Sequence, residues 1–252
     1  MTKINNLLHN LTTDELKPSK DTLGGFQLLD SNVYATHVKM AYITQSSGGA
    51  TGIALELSIE GITQTHMETV WVTSKEGKNY YLKDGQKNPL PGFTLINDLC
   101  LLTTEAPLLA QEVEEKKVEV YDWEIKGKAI KSMPVLVDLI GKAVFAGILK
   151  QKVNKRVADA AGVYVATAET RDENVLHKFF HCATSQTANE RQADAEAHFR
   201  EHWEGRYTGV LLDRMVPVIE YSKPSKPNKP SNTITGKPSA TAPKAKKNIF
   251  QD

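Results

Sequence analysis

Two stretches decide the fold class: Val33-Tyr34-Ala35-Thr36-His37-Val38-Lys39-Met40-Ala41-Tyr42 and, after a turn, Ile53-Ala54-Leu55-Glu56-Leu57-Ser58-Ile59. In the first, Tyr34, Thr36, Val38, Met40 and Tyr42 alternate with Ala35, His37, Lys39 and Ala41. In the second, Ile53, Leu55, Leu57 and Ile59 form one face, with Glu56, Ser58 and Glu60 on the other. Successive side chains of a strand point to opposite sides, so a period of two marks a strand with one buried face. Gly61 breaks the second run, and a third strand follows from Thr65 to Thr73, with Val70 and Val72 opposite Met67 and Trp71. Three strands so closely spaced predict an antiparallel meander.

Outward from the meander, Ser46–Gly52 is a flexible turn, and a Gly-rich loop without lysine is a strand connection before it is a nucleotide site. Ser74–Lys78 is a second turn, followed by Asn79-Tyr80-Tyr81-Leu82 and a polar loop from Lys83 to Pro91. Phe93–Leu102 reads as a helix inserted between strand groups. Strand character returns at Val118–Trp123, Met133–Leu139 and Lys142–Val153, and Gly162–Phe180 adds another strand or two. Asn189–Trp203 reads as a helix, with Ala195, Phe199 and Trp203 at i, i+4 spacing on one face. The fold class is therefore mainly β. Many short strands without a βαβ rhythm favour a closed or partly open antiparallel barrel, with one or two helices.

Residues 222–252 are a separate segment, rich in Lys, Pro and Ser and lacking apolar periodicity. Such a composition buries too little surface to offset the entropy of ordering, so a disordered tail is expected. The segment holds seven lysines against one acid, Asp252, a net +6 that leaves −5 for residues 1–221 of a chain whose total is +1. Its tip restores two adjacent hydrophobes, Ile249 and Phe250, which read equally as a docking peptide and as a chain end. The expected organisation is an N-terminal extension (1–30), a body (31–221) and a basic tail (222–252).

The chain has 252 residues, 40% of them hydrophobic, an ordinary share for a globular protein. No apolar run reaches the length of a membrane-spanning helix, so no membrane association is expected. The N-terminus lacks the apolar core of a signal peptide. Two cysteines, Cys100 and Cys182, are too few for a disulfide scaffold and fit a reducing compartment.

Enzyme signatures are scarce. Neither a phosphate-binding Gly-x4-Gly-Lys-Ser/Thr loop nor a Gly-x-Ser-x-Gly nucleophile elbow occurs. Two histidine pairs at i, i+4, His177/His181 and His198/His202, invite a zinc reading. His177 falls in an expected strand, where residues four apart are about 13 Å distant, so no metal or other cofactor is expected.

The stronger signal is aromatic residues interleaved with bases. Trp71 ends a strand, and Lys75, Lys78, Tyr80, Tyr81, Lys83 and Lys87 follow it closely. Single-stranded nucleic acid exposes base faces that stack on Trp or Tyr, each worth about 1–3 kcal/mol, while Lys and Arg track phosphates. Lys150, Lys152, Lys155 and Arg156 form a second candidate phosphate track, with Lys150 and Lys152 on one strand face. The bland alternative is a core Trp71 beside an ordinary surface hairpin.

The series Ser47-Gly48-Gly49-Ala50-Thr51-Gly52-Ile53, Thr69-Val70-Trp71-Val72-Thr73, Gly77-Lys78-Asn79-Tyr80-Tyr81, Leu90-Pro91-Gly92-Phe93 and Pro134-Val135-Leu136-Val137-Asp138-Leu139 resembles single-stranded-DNA-binding proteins of tailed bacteriophages. The likeness spans residues 30–181. It implies an OB-fold that coats single-stranded DNA without sequence preference in phage replication and recombination, in the cytoplasm of an infected bacterial host, without catalysis. Trp71, Asn79, Tyr80 and Tyr81 belong to the pattern; their contact with DNA is inferred from their chemistry. Partners would be single-stranded DNA and, through the tail, phage or host replication, recombination or transcription proteins. The tail departs from the acidic tails of many such proteins, and its lysines should add phosphate contacts. The competing expectation is a non-catalytic interaction scaffold that docks partners through its tail.

Overall fold

The alternating residues of the opening stretches form the expected meander. Strands β1 (Asn32–Gln45), β2 (Thr51–Ile59) and β3 (Ile62–Trp71) pair antiparallel in chain order. The computed structural model describes residues 27–122, 124–159 and 163–218. The chain divides between Pro217 and Val218, and every strand and helix named below belongs to the first unit. Residues 1–26 and the tail with Ile249 and Phe250 lie outside the described residues. Residues 27–30, expected in an N-terminal extension, belong to the body. Leu29 is buried and exchanges two backbone hydrogen bonds, each 2.8 Å, with the Asn174 side chain.

After the meander come a small hairpin, β4 (Tyr80–Lys83) and β5 (Gln86–Pro89), and helix α1 (Pro91–Thr104). A second hairpin, β6 (Val113–Asp122) and β7 (Gly127–Leu136), leads to the long strands β8 (Ala143–Ala158) and β9 (Tyr164–His181). Helices α2 (Ala188–Gln192) and α3 (Phe199–Tyr207) and a short strand β10 (Leu211–Asp213) complete the order. Eight strands form one sheet, ordered β10-β8-β1-β2-β3, with β9 on β8 and the β6–β7 hairpin on β1. All pairings are antiparallel except β10 with β8.

β1 is long enough to serve two neighbours, with Asn32–His37 against β8 and Thr36–Gln45 against β2. A bulge between Val38 and Met40 changes its phase. Thr36 and Val38 are buried on one side of it, Ala41 on the other. The single apolar face expected from Tyr34 to Tyr42 therefore splits, and Met40 and Tyr42 turn outward. This is what an extra residue does to a two-residue period.

The core holds Val38, Ala41, Ile53, Leu55, Leu57, Val70, Ile148 and Phe179, covered by Ile96, Leu99, Cys100 and Leu102 of α1. Burial pushes the Cys100 thiol up to about 12, so it packs as a neutral apolar group. Buried Asp98 of α1 meets Lys178 of β9 at 2.7 Å and ties the helix to the sheet. A smaller cluster, Leu149, Phe180 and Trp203, fastens α3 to the opposite face of β8 and β9.

The barrel expected from the sequence is not closed by backbone pairing. Among the described residues β3 and β9 share no ladder. One side-chain bond spans their edges, the Leu176 N–H donating to Glu68 Oε2 at 2.7 Å. The helix expected at 189–203 is two helices separated at 193–198. Among the described residues no helix is long and apolar enough to cross a membrane.

Candidate nucleic-acid interface

Trp71 ends β3 on the side opposite the buried Val70 and Val72, so its indole lies outside the core. Its strand partner is Gly52. A methyl group at Gly52 would stand 2.8 Å from Trp71 Cε3, so the ring rests on the bare backbone there. A side chain at Gly92 would run into the Trp71 carbonyl oxygen, so the first turn of α1 packs on the Trp71 backbone. The residue is 44% exposed, which leaves surface for a planar ligand on a ring seated from beneath.

The outer face of the meander continues from Trp71 through Thr69 and Met67 of β3 to Ala54 of β2 and Tyr42 of β1. Of these, Tyr42, Ala54, Met67 and Thr69 line a groove of about 150 Å³ together with Val118 and Glu119 of β6. Met67 is 70% exposed. Partial burial, and then Glu56, hold the Tyr42 phenol above its usual range, so it stays a neutral donor. The acids here are matched: Lys39 lies 2.7 Å from Glu56 and Lys128 lies 2.6 Å from Glu119.

The Lys75–Lys87 segment leaves the same end of the sheet. Leu90 N–H donates to the Asn79 carbonyl at 2.9 Å and closes the base of the β4–β5 hairpin. Tyr80 pairs with Pro89 and Leu82 with Lys87, so these four share one face, while Tyr81 and Lys83 take the other. Lys87 Nζ sits 4.7 Å from the Tyr80 ring centroid. Tyr81 is 46% exposed. The two tyrosines thus do not form one continuous platform. Lys78 is occupied by Glu76 at 2.7 Å. Lys75, Lys83 and Lys87 are exposed and form no salt bridge among the described residues. Asn79 lines a second, mostly apolar cavity of about 460 Å³ shared by strands β1 and β2, α1 and the segment 108–113, with Ile53, Val72 and Phe93 in its wall.

Two of the four residues of the expected β8 track are ion-paired. Lys150 meets Asp30 at 3.0 Å and Lys155 meets Glu169 at 3.1 Å. Lys152 stands opposite Asp172 in register. Arg156 is exposed and carries no acidic partner among the described residues. Exposed pairs of this kind are worth about 0–1 kcal/mol, so a phosphate can compete for the lysines.

The histidine pairs do not converge. His177 Nδ1 accepts the Trp203 indole N–H at 2.8 Å, His181 Nδ1 accepts the Thr184 N–H at 3.2 Å, and His198 lies 3.2 Å from Glu196. Among the described residues no group of three His, Cys, Asp or Glu gathers as a metal site.

No known family model matches this chain, and no curated protein matches it. The site is therefore read from its geometry. The sequence pattern does not single out Tyr42 and Met67, although both sit on recognisable strands. A one-residue bulge at Lys39 decides which way Tyr42 faces, and alternation does not reveal it. Nor does the pattern single out Tyr164, Arg171 and Arg214, which tertiary structure brings together with Arg156.

Proposed function

We propose that this chain is a non-catalytic single-stranded-DNA-binding protein built on an OB-type, partly open barrel. The order β1-β2-β3-α1-β8-β9 supports that architecture. β1 is shared between the meander and β8, and α1 covers the core between β3 and β8. In such barrels the outer face of the second and third strands carries oligonucleotides. The observation that carries the reading is the Trp71 indole, seated on Gly52 at the end of that face beside the Lys75–Lys87 segment. Bases stack on the ring and on Tyr42 or Tyr81, and lysines balance phosphates without reading sequence. The phage setting, replication and recombination in a bacterial cytoplasm, rests on the sequence resemblance alone.

The test is titration with a thymidine oligomer of about 30 nucleotides, followed by tryptophan fluorescence at two salt concentrations, with duplex DNA as control. Tight, salt-sensitive binding to the single strand is expected, and Trp71→Ala should weaken it about 5- to 150-fold, the equivalent of one lost stack of about 1–3 kcal/mol. Flat traces with every nucleic acid would overturn the reading.

A further inference from the structure

β8 and β9 run on past the core as a two-stranded arm. Its stem carries a groove of about 370 Å³ lined by Arg156, Arg171, Arg214 and Tyr164, with Val153 and Val216 among its apolar walls. In an uninterrupted strand Val153 and Arg156 would face opposite sides. The register shifts between Asn154 and Arg156, and the two then line one groove. The shift is held in place: Asn154 Nδ2 donates to the Thr167 carbonyl at 2.8 Å, and the Thr167 hydroxyl donates to the Lys155 carbonyl at 3.0 Å.

Arg214 comes from beyond β10. That strand pairs parallel to β8 at Lys150–Lys152, and the next residue continues the contact, Arg214 N–H donating to the Lys152 carbonyl at 2.9 Å. Val216 N–H then donates to Asn154 Oδ1 at 2.7 Å, which fixes the chain along the groove. The one acid in the lining, Glu173, is engaged by Arg171 at 2.8 Å and by Gln151 Nε2 at 3.0 Å. Arg156 and Arg214 are left exposed, with no ion pair among the described residues, beside a Tyr164 that is 69% exposed. Guanidinium forks beside an open aromatic ring match a phosphodiester with its attached base.

The geometry points to a second nucleic-acid site: the groove binds phosphates of the same single strand where it runs beyond the Trp71 face. This rests on the single-strand-binding reading above and extends it.

The experiment compares the full-length protein with the double variant Arg156→Ala/Arg214→Ala, using thymidine oligomers from about 6 to about 40 nucleotides. Both arginines are exposed, so the fold should hold, checked by circular dichroism. Short oligomers should bind equally well, and above a threshold length the variant should be weaker by about tenfold, with a salt slope lower by about 1.4, the value for two single-strand phosphates. Wild-type binding with no difference at any length overturns the groove and leaves the Trp71 site standing. A deficit at every length makes the arginines part of the first site and overturns a second one. Preferential displacement of the long oligomer by inorganic tripolyphosphate at matched ionic strength would identify free oligophosphate as the ligand instead. A wild-type protein that binds no single strand overturns both readings.

Discussion

Glu190 shows how much one carboxylate can organise. Its Oε2 accepts the Thr187 N–H at 2.8 Å and hydroxyl at 3.1 Å, and its Oε1 accepts the N–H groups of His198 at 3.0 Å and Phe199 at 2.8 Å. It therefore closes a capping box on α2 and receives the first turn of α3. The i, i+4 spacing of Ala195, Phe199 and Trp203 was legible in the sequence, but Ala195 lies in the link and only Phe199 and Trp203 in α3; the grip of Glu190 on the link was not legible. Burial acts to raise its carboxyl, but hydrogen bonds from Thr187, Phe199 and His198 win and hold it below the usual range. A folded pKa below the unfolded one gives stability present above about pH 4.5 and lost as pH falls through the folded value. Glu190→Ala should cost about 1–2 kcal/mol at pH 7. Thermal melts from pH 7 to pH 3 should show the difference between the two proteins shrinking on the acid side; a constant difference would contradict the assignment.

At the scale of elements, the β4–β5 hairpin separates what the sequence runs together. Adjacent Tyr80 and Tyr81 look like one aromatic patch, yet strand alternation sends them to opposite faces. The Lys87 ammonium already covers the Tyr80 ring, whereas Tyr81 is open. Tyr81→Ala should weaken single-strand binding by about one stack, roughly 5- to 150-fold, and Tyr80→Ala by less than about threefold. Equal losses, measured by the same fluorescence titration, would mean that the hairpin rearranges on DNA. Many elements were well marked in the sequence: β1 to β3, α1, β9 and most of β8 follow from alternation, Gly breaks and an apolar run. Only the second half of β6 and the end of β7 were read as strand, and Val137–Leu139 is a 3-10 turn. Their facing was less legible, since the bulge at Lys39 and the register shift near Lys155 reverse side chains without changing composition.

For the whole molecule, closure is the decisive matter. A meander is local and could be read from neighbouring residues. The meeting of β3 with β9 joins residues 108 positions apart, and no periodicity records it. At that seam Glu68 Oε2 accepts the Leu176 N–H at 2.7 Å and lies 3.2 Å from His66 Nε2, with His66 itself buried. A carboxylate thus stands where a strand ladder would join the two edges of the sheet. Glu68→Ala leaves the partly buried Leu176 N–H without its acceptor, which should cost about 1–3 kcal/mol. For a domain of this size that lowers Tm by about 3–9 °C. Glu68→Gln keeps an acceptor oxygen and should recover most of the loss. Hydrogen exchange at Leu176 locates the effect: faster exchange in Glu68→Ala, near wild-type exchange in Glu68→Gln. Unchanged melting and exchange in both variants would mean that the sheet is held by its core and α1, with the seam contributing nothing.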